Sequence, residues 1–306
     1  MRCTLAALVF AAVLLPETWT AQVEALIASG KLAEARARLQ QETAARGDSA
    51  PAALLEGRLL FEERRYQESL KVLEHCLALD SKNAEAYKLT ALAAVRLNRL
   101  DIAEPALQSA ARIAPDDYLV HFHLGALYYT TSLFLQARPE LEKAATLKPD
   151  YMPARLFLGL TLEEVGDEKS TIEQYKEAID LAAPGKAAAE VPHIYLGRYY
   201  YRLDRFEDSL SSLRKAVGLN PASADAQLAL GKTLHALNRD DEAVPALKRA
   251  VVTDPRNSEA HYLLFRIYSA QGRDADAQEE FRRFESLKPE QKDDPRRRRP
   301  PAPGRG

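Results

Sequence analysis

Few side chains in this 306-residue chain could attack, ligate a metal or shuttle a proton: six histidines, two cysteines and a scatter of carboxylates. A nucleophile needs a base within reach, and a metal site needs three or four converging ligands. His121 and His123 are two apart, so on one helix they point in different directions and cannot chelate together. His121, His193 and His261 recur at one place in a periodic pattern, which suits a repeated structural position better than a catalytic one. Two cysteines, Cys3 and Cys76, are too few for a disulfide framework or a cysteine-based zinc site. Cys76 stands where the pattern otherwise has small core residues, which reads as a buried, inert thiol. No His-Glu-x-x-His, Gly-x-Ser-x-Gly, Gly-x-Gly-x-x-Gly or phosphate-binding Gly-x-x-x-x-Gly-Lys occurs. The sequence therefore predicts a protein that is not an enzyme and that uses no cofactor and no metal.

The elements that carry these residues are helical. Alanine and leucine make up close to a third of the chain, while glycine is only 13 residues. That balance favours helices over the turns and β-branched runs of sheets. A net charge of −2 removes any global attraction to nucleic acid or to an anionic membrane. Residues 1–20 read as a secretory signal: Arg2, an unbroken apolar run from Leu5 to Leu15, then Pro16. The run is too short to span a bilayer. It predicts export to a periplasmic or secreted location, with a cytoplasmic protein as the alternative.

Self-comparison gives the organisation. Gly57, Gly125, Gly159, Gly197 and Gly231 recur on a beat of roughly 34 residues, doubled once and stretched once, and Ala91 fills the doubled gap. Pro115, Pro149, Pro221, Pro255 and Pro289 follow the same beat. The one irregularity is a four-residue insertion around Ala182–Ala189, which contains Pro184 and Gly185. Seven repeats over residues 50–289 start near 50, 84, 118, 152, 190, 224 and 258. Position 8 is small in six of them, and position 20 is Ser69, Ala103, Ala137, Thr171, Ser209, Ala243 and Ala277. Positions 24 and 27 place apolar groups on one stripe of a second helix. Small residues at 8 and 20 let two antiparallel helices approach, and the proline at 32 ends the second helix. A single such hairpin cannot bury its surface, so neighbours must stack into a right-handed superhelix. Pro105, Pro139 and Pro245 at position 22 are expected near the start of the second helix, where a missing N–H costs little.

A 34-residue period with these small, leucine and proline positions resembles the tetratricopeptide repeat family. The resemblance implies an all-α fold, a right-handed α-solenoid of stacked helix-turn-helix repeats. Trp19, Gly30, Ala35 and Leu39 fit the same frame at positions 4, 15, 20 and 24, so residues 21–49 read as a degenerate N-terminal capping repeat. The chain departs from the family pattern at position 7, with Glu56 and Thr90, and at position 4, which lacks tryptophan in all seven repeats.

The resemblance also implies that the first helices build a concave wall from positions 2, 5, 9, 12 and 13. Those positions give an apolar and aromatic middle, Phe122, Tyr129, Leu156, Leu160, Ile194 and Tyr201, beside Leu119 and Ala126. Cations flank it: Lys88 and Arg58 on one side, Arg198, Arg202, Lys232 and Arg266 on the other. Such a surface suits a partner protein's extended peptide or amphipathic helix with apolar and acidic side chains. No small-molecule substrate and no nucleic acid is expected. The lysine and asparagine pattern that family members use to clamp a chaperone's C-terminal carboxylate is absent. In the last repeat Phe265 replaces the usual glycine, and Phe281 and Phe284 follow. These rings are read as packing inward, with an apolar end face, and a homo-oligomer through it, as the alternative. Residues 290–306, with Arg296 to Arg299 followed by Pro300 and Pro301, read as a disordered basic proline-rich tail. The function expected is a non-catalytic protein-interaction scaffold. The alternative is a regulatory or substrate-delivery subunit of a multi-protein cell-envelope complex or enzyme.

Overall fold

The structure, a computed structural model, describes residues 18–182, 185 and 188–287. Most of the signal segment, Pro184, Pro289 and the basic tail lie outside the described residues. Among those described there are sixteen helices and no strand. They divide into two compact units, with the boundary between Pro149 and Asp150.

The first unit holds four helical pairs: α1 (Trp19–Ala28) with α2 (Leu32–Arg46), α3 (Ala50–Glu62) with α4 (Tyr66–Leu79), α5 (Ala84–Arg96) with α6 (Leu100–Ile113), and α7 (Tyr118–Thr130) with α8 (Phe134–Leu147). The second unit repeats the arrangement: α9 (Met152–Val165) with α10 (Glu168–Leu181), α11 (Val191–Arg202) with α12 (Phe206–Leu219), α13 (Ala224–Ala236) with α14 (Asp240–Thr253), and α15 (Ser258–Ala270) with α16 (Asp274–Leu287). Within each unit, every pair stacks on the next, as in an α-solenoid.

The close approach inside a pair has a specific cause. A Cβ placed on Gly57, Gly125, Gly159, Gly197 or Gly231 would come within 2.6 Å of the position-24 side chain of its own pair, Leu73, Leu141, Tyr175, Leu213 or Leu247. Position 8 is therefore small to admit the side chain at 24, rather than only to face position 20. Position 20 meets the first helix through backbone: Ser69 Oγ donates to the Gly57 carbonyl at 2.7 Å.

Sequence spacing did not announce the turn inside each pair. Position 15 has positive φ in every pair: Gly30, Arg64, Asn98, Ser132, Gly166, Asp204, Asn238 and Gly272. The next N–H then reaches back to the carbonyl five residues earlier, as Arg239 does to Leu234 and Arg273 to Tyr268, both at 2.9 Å. This left-handed closure satisfies carbonyls that the helix end would leave free. The following first helix starts on a side-chain cap: Asn83, Asp117, Ser223 and Asn257 each accept a backbone N–H from α5, α7, α13 and α15.

Position 4 ties the turn between pairs to the helices. His121 Nε2 lies 2.9 Å from the Pro115 carbonyl, and His121 Nδ1 lies 2.6 Å from Glu140. His261 makes the same contacts with Pro255 and Glu280, and Gln227 Nε2 donates to the Pro221 carbonyl at 2.9 Å. Cys76 is fully buried, its thiol pushed up by burial and by Asp80, and its Sγ donates to the Ala50 carbonyl.

The positions of the prolines differ from expectation. Pro105, Pro139 and Pro245 are each the sixth residue of α6, α8 and α14, inside the hydrogen-bonded part of the helix. Each ring forfeits one bond to the carbonyl four residues back. All three are exposed, so water can take that carbonyl.

Candidate functional site

In the second unit, α11 places Arg198, Tyr201 and Arg202 at a spacing of three and four, on one side of the helix. Lys232 on α13 joins them. These four line a cavity of about 310 Å³ whose floor includes Leu213, Leu228 and Ala229, with Glu259 at its edge. Tyr201 is half-buried, with Lys232 Nζ 5.6 Å from its ring centre and the Phe206 ring 5.4 Å away.

Each cation of this cavity holds a carboxylate. Arg198 pairs with Asp225 at 3.2 Å and Lys232 with Glu259 at 2.6 Å. Both pairs link position 9 of one repeat to position 2 of the next. Arg202 pairs with Glu163 at 2.6 Å. Burial pushes the Glu163 carboxyl up, against the Tyr175 hydroxyl that donates to it at 2.6 Å and the Arg202 charge. Arg266, the third cation of the ladder, is exposed, and among the described residues it has no acidic partner.

The other candidates of this unit, Leu156, Leu160 and Ile194, are placed differently. Leu156 and Ile194, both at position 5, are buried between helices; Ile194 packs on Ala216 and Ala226. Leu160 is half-buried against the cluster around Tyr175 and Tyr199. In the first unit, Phe122 and Lys88 are likewise buried position-5 side chains, and Tyr129 is half-buried against Phe134. Burial pulls the Lys88 ammonium down, but the carboxylates of Glu85 and Asp117, at 2.6 and 3.0 Å, hold it above the ordinary lysine value. Asp225, Glu259 and Glu163 were missed from the sequence; for Asp225 and Glu259, the recurrence of a cation at position 9 with an acid at position 2 of the next repeat was the available signal.

Chemically the cavity offers guanidinium, ammonium and phenol groups over an apolar floor, an arrangement for holding acidic and apolar side chains. His235 Nδ1 approaches Asp240 at 2.6 Å, yet no hydroxyl or thiol among the described residues is hydrogen-bonded to that imidazole. No group of three or more His, Cys, Asp or Glu among the described residues could hold a metal ion. No described helix is long and apolar enough to cross a membrane.

A family model described as tetratricopeptide repeat matches residues 20–84, 54–118, 88–151 and 196–258, and a second of the same description matches 241–297. Among curated proteins, the chain is 27% identical over 180 residues to the BBSome complex member bbs-4 of Caenorhabditis elegans, covering 56% of this chain and 38% of that protein. It is 25% identical over 137 residues to the anaphase-promoting complex subunit CDC16 of Saccharomyces cerevisiae, covering 42% of this chain and 16% of that one. The chain thus spans less than two-fifths of the length of either relative. Among solved structures, the APC/C hetero-tetramer Cut9–Hcn1 aligns with a TM-score of 0.65 at 17% identity, over 83% of this chain and 49% of that chain, a likeness of fold.

Proposed function

The chain belongs to the tetratricopeptide repeat family, and from that premise we propose that it is a non-catalytic scaffold holding a partner protein on the first helices of its repeats. The observation that carries the reading is the convergence of Arg198, Tyr201, Arg202 and Lys232 on one cavity with an apolar floor. An extended peptide or amphipathic helix would place an apolar side chain on Leu228 and Ala229. Its carboxylates would exchange with Asp225 and Glu259 for the ladder cations. Because these pairs are solvent-accessible and individually weak, an incoming acid can displace them at small cost.

Capture of partners on the immobilised chain, quantified by mass spectrometry, tests this. The double variant Arg198→Glu, Lys232→Glu should lose the proteins that the wild type retains, and unchanged capture would sink the groove reading. A second reading is a regulatory or substrate-delivery subunit of a larger assembly. It is favoured by relatives named as a complex subunit and a complex member. An exported location rests on Arg2 and the apolar run from Leu5 to Leu15. Fractionation of cells with and without residues 1–20 tests it, since a full chain that stays cytoplasmic removes the envelope setting.

A further inference from the structure

Independently of that groove, the last repeat carries a second surface. In repeats five and six, the side chains at positions 5, 24 and 27 are buried under the next pair: Ile194 and Ala216 under Ala226, and Leu247 and Ala250 with Ala260 and Leu264. In repeat seven the equivalents are Tyr262, Phe281 and Phe284, joined by Phe265 at position 8. Their rings pack on one another with centroids 5.0 to 6.3 Å apart. Tyr262 is nevertheless 40% exposed and Phe281 41% exposed. The expected inward turn holds for Phe265, which packs on the buried cluster that includes Leu264 and Ile267, and not for Tyr262 and Phe281. With phenylalanine where glycine belongs, the ring at 24 cannot sink against α15.

Two observations define what fits there. Residues 288–306 contain no Leu, Ile, Val, Met, Phe, Tyr or Trp, so that segment supplies no large apolar cover. The ion pairs Arg198–Asp225 and Lys232–Glu259 each run from position 9 to an acid in the first turn of the covering helix. Arg266 occupies position 9 of repeat seven, exposed and without an acidic partner among the described residues. Among the described residues, apolar cover and an acid for Arg266 are thus missing from the same place. The opposite terminus differs: α1 leaves Glu24, Ala25 and Ala28 exposed, with no large ring among them.

We propose that the open face of α15 and α16 docks an amphipathic helix of a partner protein, seated where the first helix of a further repeat would lie. That helix presents small and leucine side chains to Tyr262, Phe265, Phe281 and Phe284, and a carboxylate in its first turn to Arg266. The four rings form one apolar aromatic patch, with an open cavity of about 410 Å³ beside Phe265 and Phe281 that takes such side chains.

The internal repeats supply the probe. A fluorescein-labelled peptide of residues 223–253 carries α13 with Asp225 in its first turn, backed by α14. Fluorescence anisotropy against the full chain should give saturable binding. Arg266→Glu in the protein should weaken it about tenfold, and Asp225→Lys in the peptide should restore it on that variant. Phe281→Asp should abolish binding, with circular dichroism showing that the variant stays helical. No saturable binding, or binding indifferent to the charge at Arg266, overturns the proposal. So does a dimer in sedimentation velocity that excludes the peptide and is lost in Phe281→Asp, which would assign the face to a second copy.

Discussion

Repeats six and seven offer the same positions toward the C-terminus, and among the described residues only repeat six has a pair to cover them. Leu247 is fully buried and fills the space that a Cβ on Gly231 would need. Phe265 and Phe281 occupy the corresponding places with ring centroids 5.0 Å apart, and Phe281 is 41% exposed. The difference teaches that a small residue at position 8 and the side chain at position 24 form one unit of packing, and that both differ in the last described repeat. Position 8 glycines in the helices have ordinary helical backbone; they are glycine because the partner side chain occupies the space of a Cβ.

Three measurements can break or sharpen that comparison. The largest effect is expected for Gly231→Leu, which forces a branched side chain onto Leu247 and should cost about 3 kcal/mol or more in urea unfolding. A cost below about 1 kcal/mol would show that α13 and α14 separate easily. Next, Leu247→Ala should cost about 3 kcal/mol, whereas Phe281→Ala should cost about 1 kcal/mol despite removing more atoms. Equal losses would mean that the end face is covered in solution. The smallest effect lies at position 15, which is Asn238 in repeat six and Gly272 in repeat seven, both at positive φ. Gly272→Ala should cost about 1 kcal/mol and Asn238→Gly should change stability by about 0.5 kcal/mol or less, read as shifts in thermal midpoint. A Gly272→Ala variant as stable as the wild type would show that this turn relaxes without its left-handed residue.

The fold was legible because repetition multiplies a weak signal. One Gly–Leu pair sixteen residues apart says little, but Gly57–Leu73, Gly125–Leu141, Gly197–Leu213 and Gly231–Leu247 in one frame specify paired helices. The left-handed position 15 was hidden because five of its eight occupants are not glycine, and Arg64, Ser132 and Asp204 give no turn signal by type. The candidate site was half legible. Positions 9, 12 and 13 of α11 and position 9 of α13 do converge on one cavity. Phe122, Leu156 and Ile194 are apolar at a family groove position, but whether position 5 faces a partner or a neighbouring helix depends on how closely the next pair sits, which local sequence does not encode.

The sequence by itself determined that the chain is helical, that its helices pair at one regular period, and which side chains are small where helices touch. These follow from periodicity and from steric limits that act within one hairpin. Only the tertiary structure decided which cations are already satisfied and which apolar groups are left open. Arg198 and Lys232 meet acids at the start of the next repeat, while Arg266, of the same type and register, meets none among the described residues. The reason is that burial and ion pairing of a repeat's outer side belong to the neighbour that covers it. Equivalent positions are therefore core where a following pair is described and open in the last described repeat.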